Sequence, residues 1–349
     1  MPAVRARVLV LAALGAMLAG ALAAEGAGAQ APTSPAVPTA SPPGGSAAAP
    51  SGADPAAAQP APAKIFVKVA GHGHRIPVGG RIKAKGRIRP FVAGERVEVR
   101  IARHGKVLRK RVIAVKPVAH SNLGRFRLRS GKIVKPGPYR VTALHRATAA
   151  QARARLVSHP LSVHYPDLDP GQTSSQVKIF SRLLARRGYL TPRSRHYGSG
   201  VGRAVLAYRK VNRMARISNA TPGIFHTLAR GGGAFKPRYP GAGYHVEVDI
   251  SRQVMVIVNK GKARYTVPAS TGAPATPTIT GHYRVYRKTP GYNSEGMYYS
   301  SYWHTGYAIH GYASVPTFNA SHGCVRIPIP DAIFVYNRLP IGTSVYTYY

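Results

Sequence analysis

The sequence predicts a multidomain, mainly β chain: an immunoglobulin-like β-sandwich, a small three-helix bundle and a mainly β C-terminal domain. Three observations carry that prediction. Between Lys64 and Pro166, short runs of β-branched residues recur between Gly and Pro breakers. From Pro166 to Gly233 the apolar spacing changes to a helical period. Beyond Tyr244 the two-residue alternation returns, in a stretch that holds the chain's single cysteine, Cys324.

The N-terminus reads MPAVRARVLVLAALGAMLAGALAAEGAGAQ, with Arg5 and Arg7 ahead of an Ala/Leu/Val run. Small-x-small sites follow at Ala21-Leu22-Ala23 and Ala27-Gly28-Ala29. That is the layout of a secretory signal peptide, placed at residues 1–29; uncleaved, it would be the chain's only membrane contact. Residues 30–63 are built from Ala, Pro, Ser and Gly, with too little apolar bulk to offset ordering entropy. They are expected to form a disordered linker.

Lys and Arg total 50 against 10 Asp and Glu, a formal charge of +40. So basic a chain is drawn to polyanions. It carries no recognisable nucleic-acid module. For an exported protein the expected partners are therefore anionic cell-wall polymers, with no nucleic acid. A lone cysteine cannot close an internal bridge, and it cannot build a thiolate zinc site.

Residues 64–165 supply the runs KIFVKVA, RIKAKGRI, ERVEVRIARHG, KVLRKRVIAV, GRFRLR and PYRVTALHR, about seven strands of an antiparallel sandwich. His72 and His74 in GHGH lack a third ligand and read as a loop. In residues 166–233, Val177, Phe180, Leu183 and Leu184 form one apolar stripe, and Val201, Val205, Tyr208 and Val211 form a second. TPGIFHTLARG closes the segment as a third helix. The pattern Gly188-Tyr189-Leu190, then Ala204-Val205 and Tyr208, then Thr221 to Leu228, resembles the small peptidoglycan-binding domain family. Ser181 and Arg209 stand where that family usually has glutamine. The Gly-rich tract RGGGAFKPRYPGAG reads as a flexible joint.

In the last domain, residues 244–349, HVEVDI and VMVIV form strands, and Asn259-Lys260-Gly261-Lys262 turns a hairpin. GHYRVYRK and GTSVYTYY add further strands. The chemistry gathers in AIHGYASVPTFNASHGCVRIP. A thiol of ordinary pKa, about 8.5, needs a base within hydrogen-bond reach, and the base needs an acceptor on its other ring nitrogen. Two histidines qualify by spacing. His310 ends an apolar strand that could deliver it beside Cys324, and His322 lies closer in sequence. The turn at Gly323 would present the amides of Gly323 and Cys324 together, as an oxyanion site requires. Met297, Tyr298, Tyr299 and Trp303 are either a wall for a peptide substrate or ordinary core and rim aromatics.

These motifs, His310-Gly311 and Ser321-His322-Gly323-Cys324-Val325-Arg326 preceded by DISRQVMVIVNKGK and STGAPATPTITG, resemble the L,D-transpeptidase catalytic domain of the YkuD type. The resemblance implies Cys324 as nucleophile, His310 as proton donor and acceptor, and Gly311 orienting His310 through its carbonyl. It further implies an oxyanion site at His322 to Cys324, with Ser321 and Arg326 shaping the site or holding substrate carboxylates. Implied too are peptidoglycan stem peptides as substrate, cross-linking in the cell wall, and no metal or cofactor. The residues alone say only cysteine acyl transferase or hydrolase, so an L,D-carboxypeptidase or endopeptidase on the same scaffold, or a non-catalytic wall-binding protein, stays open beside the transpeptidase.

Overall fold

The computed structural model describes residues 59–71 and 73–349. The signal peptide expected at 1–29, most of the 30–63 linker and His72 lie outside the described residues. Ala57–Tyr349 form one compact unit.

Ten strands occupy the first region: β1 (Lys64–Ala70), β2 (Arg75–Pro77), β3 (Lys83–Arg89), β4 (Arg96–Arg103), β5 (Lys106–Ala114), β6 (Lys116–Pro117), β7 (Gly124–Arg129), β8 (Gly137–His145), β9 (Ala154–Val157) and β10 (Leu161–His164). They pair as two sheets, β1-β3-β7-β6 and β2-β10-β8-β4-β5, with β9 added on β8. Strict alternation decides which side chains meet. Ala84, Ile88, Phe126 and Leu128 of the first sheet share one core with Val97, Val99, Val141 and Ala143 of the second. The longer runs are all strands. The four short ones that the sequence reading leaves out, β2, β6, β9 and β10, include a parallel pair, β2 with β10.

Three helices follow, α1 (Ser175–Arg186), α2 (Ser199–Val211) and α3 (Pro222–Ala229). Ser174 caps α1 by accepting the Val177 amide at 3.2 Å. Thr221 caps α3, with Pro222 in its first turn. Val177, Phe180, Leu184, Val201, Val205 and Phe225 are fully buried between the helices. The two departures from the peptidoglycan-binding pattern are also buried. The Ser181 hydroxyl donates to the Lys178 and Ser194 carbonyls, and Arg209 donates to the Asn219 and Ala215 carbonyls. Both brace loops from inside.

The last region contains β11 (His245–Asp249), β12 (Val254–Asn259), β13 (Lys262–Pro268), β14 (Gly281–Arg284), β15 (Arg287–Tyr292), β16 (Tyr298–His304), β17 (Tyr307–Tyr312), β18 (Val325–Pro328), α4 (Ile329–Tyr336) and β19 (Ser344–Tyr348). Its sheets are β13-β12-β11-β19-β14 and β15-β16-β17-β18. The run GHYRVYRK thus splits between two sheets, bending at the buried Val285. Val246, Met255 and Ile257 pack with Trp303, Ile309 and Val325 of the second sheet and with Ala332 of α4. Trp303 is therefore core.

The other face of β12 is covered as well. Val254, Val256 and Val258 join the core that includes the helices, and α2 lies against β13 and β12. At about 1.5 kcal/mol or more per buried valine, this contact contributes roughly 5 kcal/mol, a large part of a domain's usual stability. Gly188 makes the approach possible. It holds φ +82° after α1, and a Cβ there would stand 2.4 Å from the Ala263 carbonyl oxygen. Arg203 of α2 forms a two-pronged bridge to Asp331 of α4, at 2.8 and 2.9 Å.

The Gly-rich tract at 230–243 is packed, contrary to its reading as a flexible joint. Phe235 is buried, the Arg238 and Tyr239 amides donate to the Glu247 carboxylate at 2.9 Å each, and Tyr239 stacks on Tyr346.

Candidate active site

Parallel pairing of β17 and β18 assembles the site. Its register sets Ile309 opposite Val325 and His310 opposite Arg326. Side chains alternate along a strand, so His310 and Arg326 share a face, and Cys324, two residues before Arg326, falls on it one step along. Between them Ala308 contributes only a methyl group. The Ala308 amide donates to Cys324 Sγ at 3.4 Å, and the thiol faces the Gly306 carbonyl at 3.5 Å. Met297, Tyr302 and Ala308 form the apolar wall packed against Cys324.

His310 is 2% exposed. Its Nδ1 lies 2.9 Å from the Gly311 carbonyl oxygen. A carbonyl can only accept, so Nδ1 carries the proton and Nε2 keeps its lone pair. Burial pushes the imidazole pKa down to about 4; the Gly311 hydrogen bond works against that shift and Arg326 adds to it. Burial pushes the Cys324 thiol up, against the Ala308 hydrogen bond and the Arg326 charge. The resting pair at neutral pH is a neutral thiol and a neutral imidazole. Such a pair calls for proton removal as the thiol attacks, and His310 is in the form that can accept it. Gly311 is held by packing: a Cβ there would stand 2.7 Å from that of Ala332.

His322 is exposed in the turn, which leaves His310 as the buried candidate base. The turn is braced from below. Ser321 is 1% exposed; its hydroxyl donates to the Cys324 carbonyl at 2.5 Å and accepts the Gly323 amide at 3.1 Å. The Gly323 N–H, expected as an oxyanion donor with that of Cys324, is engaged by the Ser321 hydroxyl in this structure. Gly323 itself has φ +108°, and a Cβ would fall 2.4 Å from the Tyr307 ring, so the position requires glycine. Thr278 donates to the Gly323 carbonyl at 2.7 Å and Thr276 to the Ser321 carbonyl at 3.0 Å. The STGAPATPTITG stretch is thus the cradle of the cysteine turn. Arg326 is held over the Tyr312 ring at 4.1 Å and donates to the Ala320 carbonyl.

Sequence reasoning missed Tyr302, Ala308, Thr278 and Tyr307. Alternation in YYSSYWH and YAIHGY separates the faces of Tyr302, Ala308 and Tyr307, but only the pairing of Tyr302 with Ala308 brings those two to Cys324; Thr278 and Tyr307 reach the turn at Gly323. Met297, read with Trp303 as a possible substrate wall, lies beside the thiol, while Trp303 does not.

Fold and site together define a class: a mainly β domain in which one thiol shares a sheet face with one imidazole fixed by a backbone carbonyl. Residues 243–347 match the family model of the L,D-transpeptidase catalytic domain, YkuD, and at that level this stretch is such a domain. The match gives no support to a peptidoglycan-binding domain at 166–233. Among solved structures, the chain is similar to the L,D-transpeptidase (residues 123–326) of Xylanimonas cellulosilytica, with 28% identity, 52% of this chain and 98% of that one covered, and a TM-score of 0.49. It is also similar to an L,D-transpeptidase of Mycobacterium tuberculosis, with 23% identity, coverage of 31% and 58%, and a TM-score of 0.29. The catalytic domain of the Enterococcus faecium L,D-transpeptidase shows 26% identity, coverage of 30% and 96%, and a TM-score of 0.27. No curated protein matches the chain.

Proposed function

We propose that this chain is an exported cysteine L,D-transpeptidase that cross-links peptidoglycan stem peptides. The observation that carries the proposal is the His310–Gly311 hydrogen bond beside Cys324, inside the stretch matched to the family. It leaves a neutral Nε2 on the face of the thiol. His310 takes the Cys324 proton as sulfur attacks the carbonyl of the third stem residue. The amide bond to the terminal D-amino acid breaks, and that amine leaves with the proton from His310. A second stem's side-chain amine then attacks the thioester, gives its proton to His310, and frees the thiol. General-base assistance of this kind contributes about 10²–10⁴-fold.

Because the Gly323 amide is engaged, the oxyanion is assigned to the Cys324 amide together with that of His322. Ser321 supports the turn, and Arg326 is left to hold a substrate carboxylate. Residues 1–29 act as the export signal and 30–63 as a tether, ahead of an immunoglobulin-like spacer. The helical segment is a peptidoglycan-binding-like bundle whose buried Ser181 and Arg209 serve packing.

The test is intact mass of the chain lacking residues 1–58, incubated with a disaccharide tetrapeptide with and without an amine acceptor. The helices must be included, because a cut at 230 would bare β12. A thioester adduct on Cys324, followed by cross-linked product only with acceptor, is the expected result. Release by water alone would make the enzyme a carboxypeptidase. An unmodified, titratable thiol would overturn the proposal for this donor.

A further inference from the structure

The outer face of the β1-β3-β7-β6 sheet carries a regular array of cations. Every outward position of β3 and β7 is Lys or Arg, and the register places like charges directly opposite: Lys83 with Arg129, Lys85 with Arg127 and Arg87 with Arg125. On the flanks, Lys116 stands opposite Arg125 and Lys68 opposite Lys85. All of them are exposed. Like charges paired across strands destabilise a sheet, so folding alone does not favour this arrangement.

Nor is the array neutralised from within. Residues 64–165 contain only two acids, Glu95 and Glu98. Both belong to the other sheet and its turns, where Glu98 bonds Arg100 and reaches Lys110 at 3.1 Å. No side chain of Lys85, Arg87, Arg125 or Arg127 makes a hydrogen bond or ion pair among the described residues. Their rows flank a shallow depression of about 510 Å³ floored by Gly86 and Phe126, with Phe66 at its edge.

From this face we infer a docking surface for a linear phosphodiester polymer of the cell wall, of the polyol-phosphate type. Outward cations recur along each strand about every 6.8 Å, and the rows lie about 4.8 Å apart. That lattice suits a chain bearing one anion per short repeat, lying along a row with a second row closing over it. Arginine dominates the two central rows, and its fork matches phosphate oxygens. Among the described residues, Phe66 is the only large apolar side chain exposed on the face and lies under Arg89 at 5.6 Å, which is too little apolar surface for membrane insertion. The choice of a wall polymer over another polyanion rests on the peptidoglycan reading of the catalytic domain. The binding itself needs no catalysis.

The experiment measures binding of the same 59–349 chain to purified poly(glycerol phosphate) across a salt series. The face variant is Lys85→Thr, Arg87→Thr, Arg125→Thr and Arg127→Thr together. The control removes equal charge elsewhere: Arg182→Thr, Arg186→Thr, Arg193→Thr and Arg195→Thr. Wild type is expected to bind, with affinity falling steeply as salt rises. The face variant should lose at least tenfold, and its slope of log affinity against log salt should be shallower by about 3, from four contacts at about 0.7 each. The control should stay within about twofold. Equal losses in both variants would reduce the effect to net charge and overturn the inference. So would absence of wild-type binding, or tighter binding to polyuronate, anionic vesicles or single-stranded nucleic acid. Acyl-enzyme formation, read in parallel on the same samples, keeps a failed docking surface distinct from a failed transpeptidase.

Discussion

The two β regions use the same alternation to opposite ends. In β3 and β7 each buried residue is followed by an exposed cation, and no described residue covers the outer face. In β12 every residue from Val254 to Val258 is buried, because α2 covers one face and the catalytic core the other. The first region keeps its chemistry outside, as unpaired charge in water. The second keeps it inside, where burial shifts the pKa of His310 and Cys324 and a single hydrogen bond fixes a tautomer. An exposed side chain there is tuned by its number of neighbours of like kind, and a buried one by its few partners.

The sharpest break of this contrast is at His310. His310→Gln is expected to slow acylation by about 10²–10⁴-fold, with stability little changed. In the wild type, the acid limb of the acylation rate should fall near pH 4 and not near 6.5, because the imidazole stays neutral down to about 4. A limb at 6.5 in a rate–pH profile would mean that His310 is solvated during the step.

Next in size is the contact that fastens helix to catalytic core. Arg203→Met leaves the Asp331 carboxyl without its partner, while the Arg203 side chain is 20% exposed. A loss of about 1–3 kcal/mol is expected in denaturant unfolding, less than for a fully buried pair. Asp331→Asn should cost less, since burial already disfavours its charge.

A matched pair sharpens the comparison directly. Val256→Thr buries a hydroxyl between two layers and should cost about 1–3 kcal/mol. Arg127→Thr relieves a like-charge pair and should stay within about 0.5 kcal/mol of wild type, on the stabilising side. Equal costs at the two sites would mean that the helical layer does not cover β12 in solution.

A further effect is electrostatic and is read against pH. Lys210 donates to the Gln253 and Ala269 carbonyls from a buried position, and burial pulls its pKa from 10.5 to about 7. Between those values the unfolded chain binds more protons, so stability rises with pH across that window. Lys210→Met should flatten the rise in a stability–pH series.

The residues themselves determined what is local. Alternation set the faces of the long strands, Ser174 and Thr221 set helix starts, and Lys260-Gly261 set a hairpin turn, since each depends on a residue and its near neighbours. The Cys324–His310 pairing was legible through the HG and SHGCVR motifs, although spacing alone left His322 as an equal kind of candidate. The tertiary structure separates them by burying His310 and exposing His322, which supports His310 as the proposed base. It alone set β17 parallel to β18, gave the Gly323 amide to Ser321, laid α2 over β12, and ranked Lys85, Arg127 and their neighbours into one face. A sequence period tells which side chains share a face. It does not tell which strand lies beside them, because pairing joins residues far apart in the chain.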